Sequence, residues 1–157
     1  MVTPDRNLTR HDWHGSSDTD LAATLASVPL FAKLGRRRVR KTARNGELAS
    51  FVPGDVVVRG DEPADFFYVV LRGEAELRDD GKTRRLRPGD YFGEASLLRA
   101  SNRSLTVVAT DDLHVLRLPG PVFLRLAQQS PSIAFAILRQ LGRQVRKGDQ
   151  RLISRAA

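Results

Sequence analysis

Residues 91–107 read YFGEASLLRASNRSLTV and set two opposite charges in one short stretch. Glu94 opens a brief apolar turn, whereas Arg103 follows a polar loop and heads a β-like run. The first amides of such a turn, near Glu94, Ala95 and Ser96, have no helical carbonyl to donate to, which favours an anion in front of them. A phosphate held only there would be half neutralised. Arg103 supplies the balance, because its planar guanidinium makes two parallel charge-assisted bonds to phosphate oxygens, and Ser104 adds a hydroxyl donor. Glu94 is the odd member, a negative charge beside a negative ligand. Its presence makes sense if the carboxylate accepts hydrogen bonds from another part of that ligand, such as a sugar hydroxyl. A small molecule carrying both a ribose and a phosphate satisfies both groups.

Those residues need a frame that fixes their spacing. Arg87-Pro88-Gly89-Asp90 reads as a turn, since Pro88 presets its own φ and Gly89 tolerates a positive one. Gly93 lets the backbone approach a bound group with no Cβ in the way. Leu97 and Leu98 are expected to anchor the short turn in the core.

The run Phe92-Gly93-Glu94, followed by Leu97-Leu98, Arg103 and Thr106-Val107, resembles the phosphate-binding cassette of cyclic nucleotide-binding domains. That family includes bacterial catabolite activators and the regulatory subunits of cyclic AMP-dependent protein kinase. The spacing from FGE to Arg103 matches without a gap, and the resemblance extends from about Leu25 to the C-terminus. It implies an α+β, mainly β fold: an eight-stranded jelly-roll-like β-roll with N-terminal helices, a short cassette helix and a C-terminal helix. It also implies roles. Glu94 with Gly93 would hold the ribose; Arg103, Ser104, Ala95 and Ser96 would hold the cyclic phosphate. In the family the C-terminal helix closes over the purine, and the purine-contacting Thr of bacterial activators aligns with Gly148, which has no hydroxyl. Gln144, Asp149 and Arg151 are the candidates to replace it. Cyclic AMP is favoured over cyclic GMP, because cyclic GMP binders often carry Thr where Ser104 stands. Ala95, Asn102 and Leu105 depart from the usual cassette residues, and Leu105 would reshape the pocket wall.

Composition narrows the class further. At 157 residues the chain is long enough for one domain with a real core. No run of 18 apolar residues suggests a membrane span, and the polar N-terminus lacks the apolar stretch of a secretory signal. The absence of cysteine excludes disulfides and an iron–sulfur centre, and it suits a cytoplasmic setting. There are 26 Lys+Arg against 18 Asp+Glu, a formal charge of +8. The basic residues concentrate in Arg36-Arg37-Arg38-Val39-Arg40-Lys41 and again between Arg139 and Arg155. Such runs suit an acidic partner or nucleic acid, although a solvated face is their commonest meaning. No aromatic residues interleave them, which argues against single-strand stacking.

Along the chain, residues 1–19 are expected to form a disordered tail and 20–157 a single domain. A helix is expected from Leu21 to near Pro29, and another around 36–44. Strand-like runs follow at 48–52, 56–58, 66–71, 74–78, 83–86, 105–109 and 113–118, separated by turn residues at close intervals. The run at 66–71 reads as a central strand. Residues 121–129 form a helix facing the barrel through Val122, Phe123 and Leu126. Ser130-Pro131 then starts a longer helix, whose Leu138, Leu141, Val145 and Leu152 fall at alternating three- and four-residue steps with Gly148 in the missing place. That stripe either pairs with a second copy, giving a homodimer, or packs on the chain's own barrel.

The chain shows no helix-turn-helix, kinase, cyclase or channel segment, so direct DNA binding is not expected. The resulting expectation is a stand-alone cyclic nucleotide sensor that signals to a separate effector protein. A metal-dependent enzyme of the cupin type would need histidines and carboxylates converging inside the barrel. The chain has only His11, His14 and His114, the first two in the tail, so no metal and no catalysis are expected. The remaining alternative is a protein- or nucleic-acid-binding module of the same fold with a degenerate pocket, for which the basic runs and Gly148 argue.

Overall fold

The computed structural model describes residues 18–60, 62, 65–79, 81–99 and 105–142. Eight strands among them form two four-stranded antiparallel sheets. They are β1 (Glu47–Phe51), β2 (Val56–Val58), β3 (Phe66–Arg72), β4 (Ala75–Asp79), β5 (Lys82–Leu86), β6 (Tyr91–Phe92), β7 (Leu105–Ala109) and β8 (Leu113–Pro119). One sheet has the order β1-β8-β3-β6 and the other β2-β7-β4-β5. The expected eight-stranded β-roll is therefore the observed fold. Of the strands, the two-residue β6 was not among the runs legible in the sequence.

The first sheet is covered on both faces, and its composition shows why. In β3, Tyr68 and Val70 point between the sheets, while Phe67, Val69 and Leu71 point towards the helices. In β8, Leu113 and Val115 share the inner side and Leu116 and Leu118 the outer. A strand buried on both faces reads as a continuous apolar run rather than an alternating one, as 66–71 does. The second sheet keeps one face in water. Lys82 to Arg85 of its edge strand β5 are all exposed, and charged side chains on an edge discourage pairing with other chains.

Helices form the outer layer: α1 (Asp18–Ala26), a 3₁₀ turn (Pro29–Phe31), α2 (Arg36–Asn45), α3 (Glu94–Arg99), α4 (Gly120–Gln129), and α5, running from 131 to 142, where the described residues end. The helix expected from Leu21 starts earlier, at Asp18, and stops at Ala26, before Pro29 opens the 3₁₀ turn. Leu25, Phe31, Val39, Phe123, Ile133 and Ile137 seal this layer onto the first sheet. Phe123 of α4 stacks on Phe67 of β3, with ring centroids 4.2 Å apart and planes 8° from parallel, which fixes α4 against the barrel. α2 buries Val39, Thr42 and Ala43 and exposes Arg36, Arg37, Arg40, Lys41 and Arg44. Its basic run is thus the solvent side of an amphipathic helix.

Gly73, between β3 and β4, has φ +78°, and a Cβ there would overlap the Asp112 carbonyl oxygen. Only glycine meets both conditions.

Candidate functional site

The frame of the site is the turn that the Pro-Gly pair announced. Gly89 has φ +95°, Asp90 N–H donates to Arg87 O at 2.9 Å, and the Asp90 carboxylate accepts from Arg87 N–H at 2.8 Å. The turn is tied to β3 by two further bonds, Gly89 N–H to Val70 O and Val70 N–H to Asp90 O, both 2.9 Å. It delivers the chain to β6, where Tyr91 and Phe92 pair with Val69 and Tyr68. Phe92 points between the sheets and stacks on Tyr68 at 4.7 Å.

Gly93 then reverses the chain. Its φ of +98° lets strand pass directly into helix, so that Glu94 is the first residue of α3. Leu97 N–H closes that helix on Gly93 O at 3.3 Å. Glu94 is only 3% exposed, one of four polar or charged residues buried among those described. A buried carboxyl is costly unless it is hydrogen-bonded, and part of that requirement is met from elsewhere in the fold. Gln140 Nε2, on α5, donates to Glu94 Oε1 at 2.9 Å.

Sequence reading missed Gln140. The signal was available, because Ile133, Ile137, Gln140 and Leu141 share one helical face at the spacing of an apolar stripe, and a glutamine there asks for a buried partner. Leu98 is a correction in the other direction. Leu97 packs partly against the helical core as expected, whereas Leu98 is 42% exposed. Adjacent helical positions point about 100° apart, so a six-residue helix cannot anchor through both.

Ala95 and Ser96 follow Glu94 in the first turn of α3, where the backbone amides lack i−4 partners. Arg103 and Ser104 lie outside the described residues, as do Gln144, Gly148, Asp149 and Arg151. β7 begins immediately after Ser104, and its Leu105 packs partly against the inter-sheet core. Its next residue, Thr106, accepts a hydrogen bond from Gly60 N–H at 3.2 Å.

The helices that bound the site are linked to one another. Gly120, the first residue of α4, lies against Leu97 of α3, and its N–H donates to Asp65 O at 2.9 Å. Arg38 of α2 reaches the α4–α5 junction, donating to Gln129 O at 3.1 Å and to Ser130 Oγ at 3.4 Å. Ser130 is buried, and its carbonyl accepts from Ile133 and Ala134 as α5 begins. On α5 the expected stripe divides. Leu141 packs partly on the chain's own core, whereas Leu138 is 65% exposed; Val145 and Leu152 lie outside the described residues, and Phe135, not part of that stripe, is 63% exposed. Among the described residues, no helix is long and apolar enough to cross a membrane.

Comparison with known proteins adds a consistent set of likenesses. The cyclic nucleotide-binding domain family matches residues 48–130, just over half of the chain. The chain is 35% identical over 119 residues to a cAMP-dependent protein kinase regulatory subunit of Yarrowia lipolytica, covering 69% of this chain and 32% of that protein. It is 34% identical over 110 residues to a cyclic nucleotide-gated potassium channel of Mesorhizobium japonicum, covering 70% and 31%. The chain thus spans about a third of the length of these curated relatives. Among solved structures, cAMP-bound PfPKA-R superposes with a TM-score of 0.76 at 25% identity, over 90% of this chain and 49% of that one. The catabolite activator protein of Thermus thermophilus gives 0.68 at 29% identity, over 79% and 61%.

Proposed function

Because the chain belongs to the cyclic nucleotide-binding domain family, we propose that it is a cyclic AMP sensor that signals to a separate effector protein through α5. Cyclic nucleotide binding by a regulatory domain is the coarse function the family carries; the residue roles, the choice of nucleotide and the output are our reading.

The observation that carries it is Glu94. A carboxyl group 3% exposed stands at the head of α3, directly after a glycine whose positive φ other residues rarely adopt, and it is contacted from α5. In this reading Glu94 accepts from the ribose 2′-hydroxyl and Gly93 keeps the approach open. The amides of Ala95 and Ser96, the Arg103 guanidinium and the Ser104 hydroxyl take the cyclic phosphate. Gln144, Gly148, Asp149 and Arg151 are the purine-side candidates, and Ser104 is the reason to favour cyclic AMP over cyclic GMP. The ligand shifts α5 between positions by its differential affinity for them. No catalytic step is part of the account.

Substituting the two charged groups separately tests it. Arg103→Ala is expected to abolish cyclic AMP binding, because a phosphate charge would lose its main partner. Glu94→Ala is expected to weaken binding less, by removing ribose hydrogen bonds. An Arg103→Ala variant that binds as tightly as the parent contradicts the phosphate assignment.

One observation favours a second reading, a docking module with a degenerate pocket. Arg36, Arg37, Arg40 and Lys41 line the exposed side of α2, and none has an ion pair among the described residues. That reading predicts that Arg103→Ala changes nothing when ligand is added.

A further inference from the structure

We infer that Gln140 is a positioning residue for the ligand's ribose, acting through Glu94. The inference rests on the cyclic nucleotide reading above and names a residue that reading does not require.

Four features of the structure point to it. Gln140 occupies a position of α5 that faces the fold, one turn beyond the buried Ile137, two beyond Ile133, and beside Leu141. Packing alone would favour an apolar residue there. Its side chain is half-buried, and its amide is directed at a buried carboxyl rather than at water. The amide presents Nε2 to Glu94, the orientation that suits a carboxylate acting as acceptor. The bond of 2.9 Å spans 46 positions of chain and connects α3 to α5, elements whose relation the proposed signal must change.

A carboxylate offers about four lone-pair sites on two oxygens, so Oε1 can keep Gln140 while other sites receive a sugar hydroxyl. The glutamine then does two things. It fixes the carboxyl rotamer, so that the ribose meets an oriented acceptor. It also makes α5 and the ligand share one group, which links ligand affinity to helix position and, reciprocally, helix position to ligand. A donor on a neutral side chain suits this role. The link is directional, yet weaker than an ion pair would be, so α5 remains free to exchange between positions.

The test separates an effect on the ribose from an effect on folding. Cyclic AMP and 2′-deoxy-cyclic AMP are titrated by calorimetry into the parent, Gln140→Leu and Gln140→Lys. Leucine keeps most of the volume and removes the donor; lysine keeps a donor of similar reach. For Gln140→Leu, cyclic AMP affinity should fall about tenfold, the scale of one hydrogen bond to a charged group. Affinity for the 2′-deoxy compound should change less than about twofold, because the hydroxyl for which Gln140 positions Glu94 is already missing. Gln140→Lys should recover most of the loss. Equal losses for both ligands, or no loss for either, would overturn the inference. If Gln140→Leu does not fold, a Gln140→Lys variant that discriminates between the ligands no better than a Glu94→Ala variant overturns it equally. A parent protein that binds neither nucleotide removes the functional reading and this inference together, whereas a parent that binds while both Gln140 variants match it removes the inference alone.

Discussion

Gly120 lies against Leu97 so closely that a β-carbon on the glycine would sit 2.9 Å from Leu97 Cδ2 and 3.4 Å from the Asp65 carbonyl oxygen. The first residue of α4 is therefore in contact with the helix that carries Glu94. Gly120→Ala should push Leu97 out of its place rather than the Asp65 backbone, because a leucine side chain yields more easily than main chain. We expect a loss of stability of about 1–2 kcal/mol, the usual scale for overpacking. We also expect a reduction in cyclic AMP affinity exceeding that of a surface control such as Lys82→Ala. Thermal denaturation and calorimetry on the same sample check both. An unchanged affinity would mean that α3 tolerates displacement of Leu97.

Gly73 should be the less forgiving glycine. Its φ of +78° strains any other residue, and the atom in the way is the Asp112 carbonyl oxygen, part of the main chain between β7 and β8. Gly73→Ala is expected to cost roughly 3–5 kcal/mol, combining positive-φ strain with a forced backbone shift. Urea denaturation measures it. A loss below about 1 kcal/mol would show that the β3–β4 connection rearranges freely.

The exposed side of α5 makes a separate prediction about association. Phe135 and Leu138 are each more than three-fifths exposed, and the Arg139 guanidinium lies 5.8 Å from the Phe135 ring centroid. We expect this face to pair with a second copy, so that the parent sediments as a dimer and a Phe135→Glu, Leu138→Glu variant as a monomer. Because neither residue belongs to the chain's own core, the variant should keep the fold, with each substitution worth within about 0.5 kcal/mol in the monomer. A parent that is monomeric at every concentration rejects this face as the dimer seam.

Much of the fold was legible because its signals are local. The run at 66–71 is apolar throughout, since β3 is buried on both faces. The Pro-Gly pairs at 53–54 and 88–89 mark turns whose glycines both have positive φ. What escaped depends on contacts between distant residues. β6 has only two residues, too few for a period, and exists because the turn at 87–90 is bonded to β3. Arg117 reads as an ordinary polar position within β8. Yet it is buried, with its guanidinium 2.9 Å from Glu47 and 4.7 Å from the Phe66 ring centre. The pairing of Glu47 with Arg117 across β1 and β8 is a matter of register, which no local pattern states. Within the site, Gly93 and Glu94 were readable from spacing. Gln140 went unread although its place on an apolar stripe was visible, because its meaning lies in a partner on another helix. Leu98 was misjudged for the opposite reason: two adjacent leucines look equivalent in a sequence, whereas a helix turns them to different sides.

The central claim is that Glu94 and its cassette hold a cyclic nucleotide, and direct titration tests it most simply. Cyclic AMP, cyclic GMP and 5′-AMP are titrated calorimetrically into the purified protein. The account predicts micromolar or tighter binding of cyclic AMP, weaker binding of cyclic GMP and none of 5′-AMP. No heat and no thermal stabilisation at millimolar cyclic nucleotide would contradict it, and would leave the basic face of α2 as the leading guide to what this fold does here.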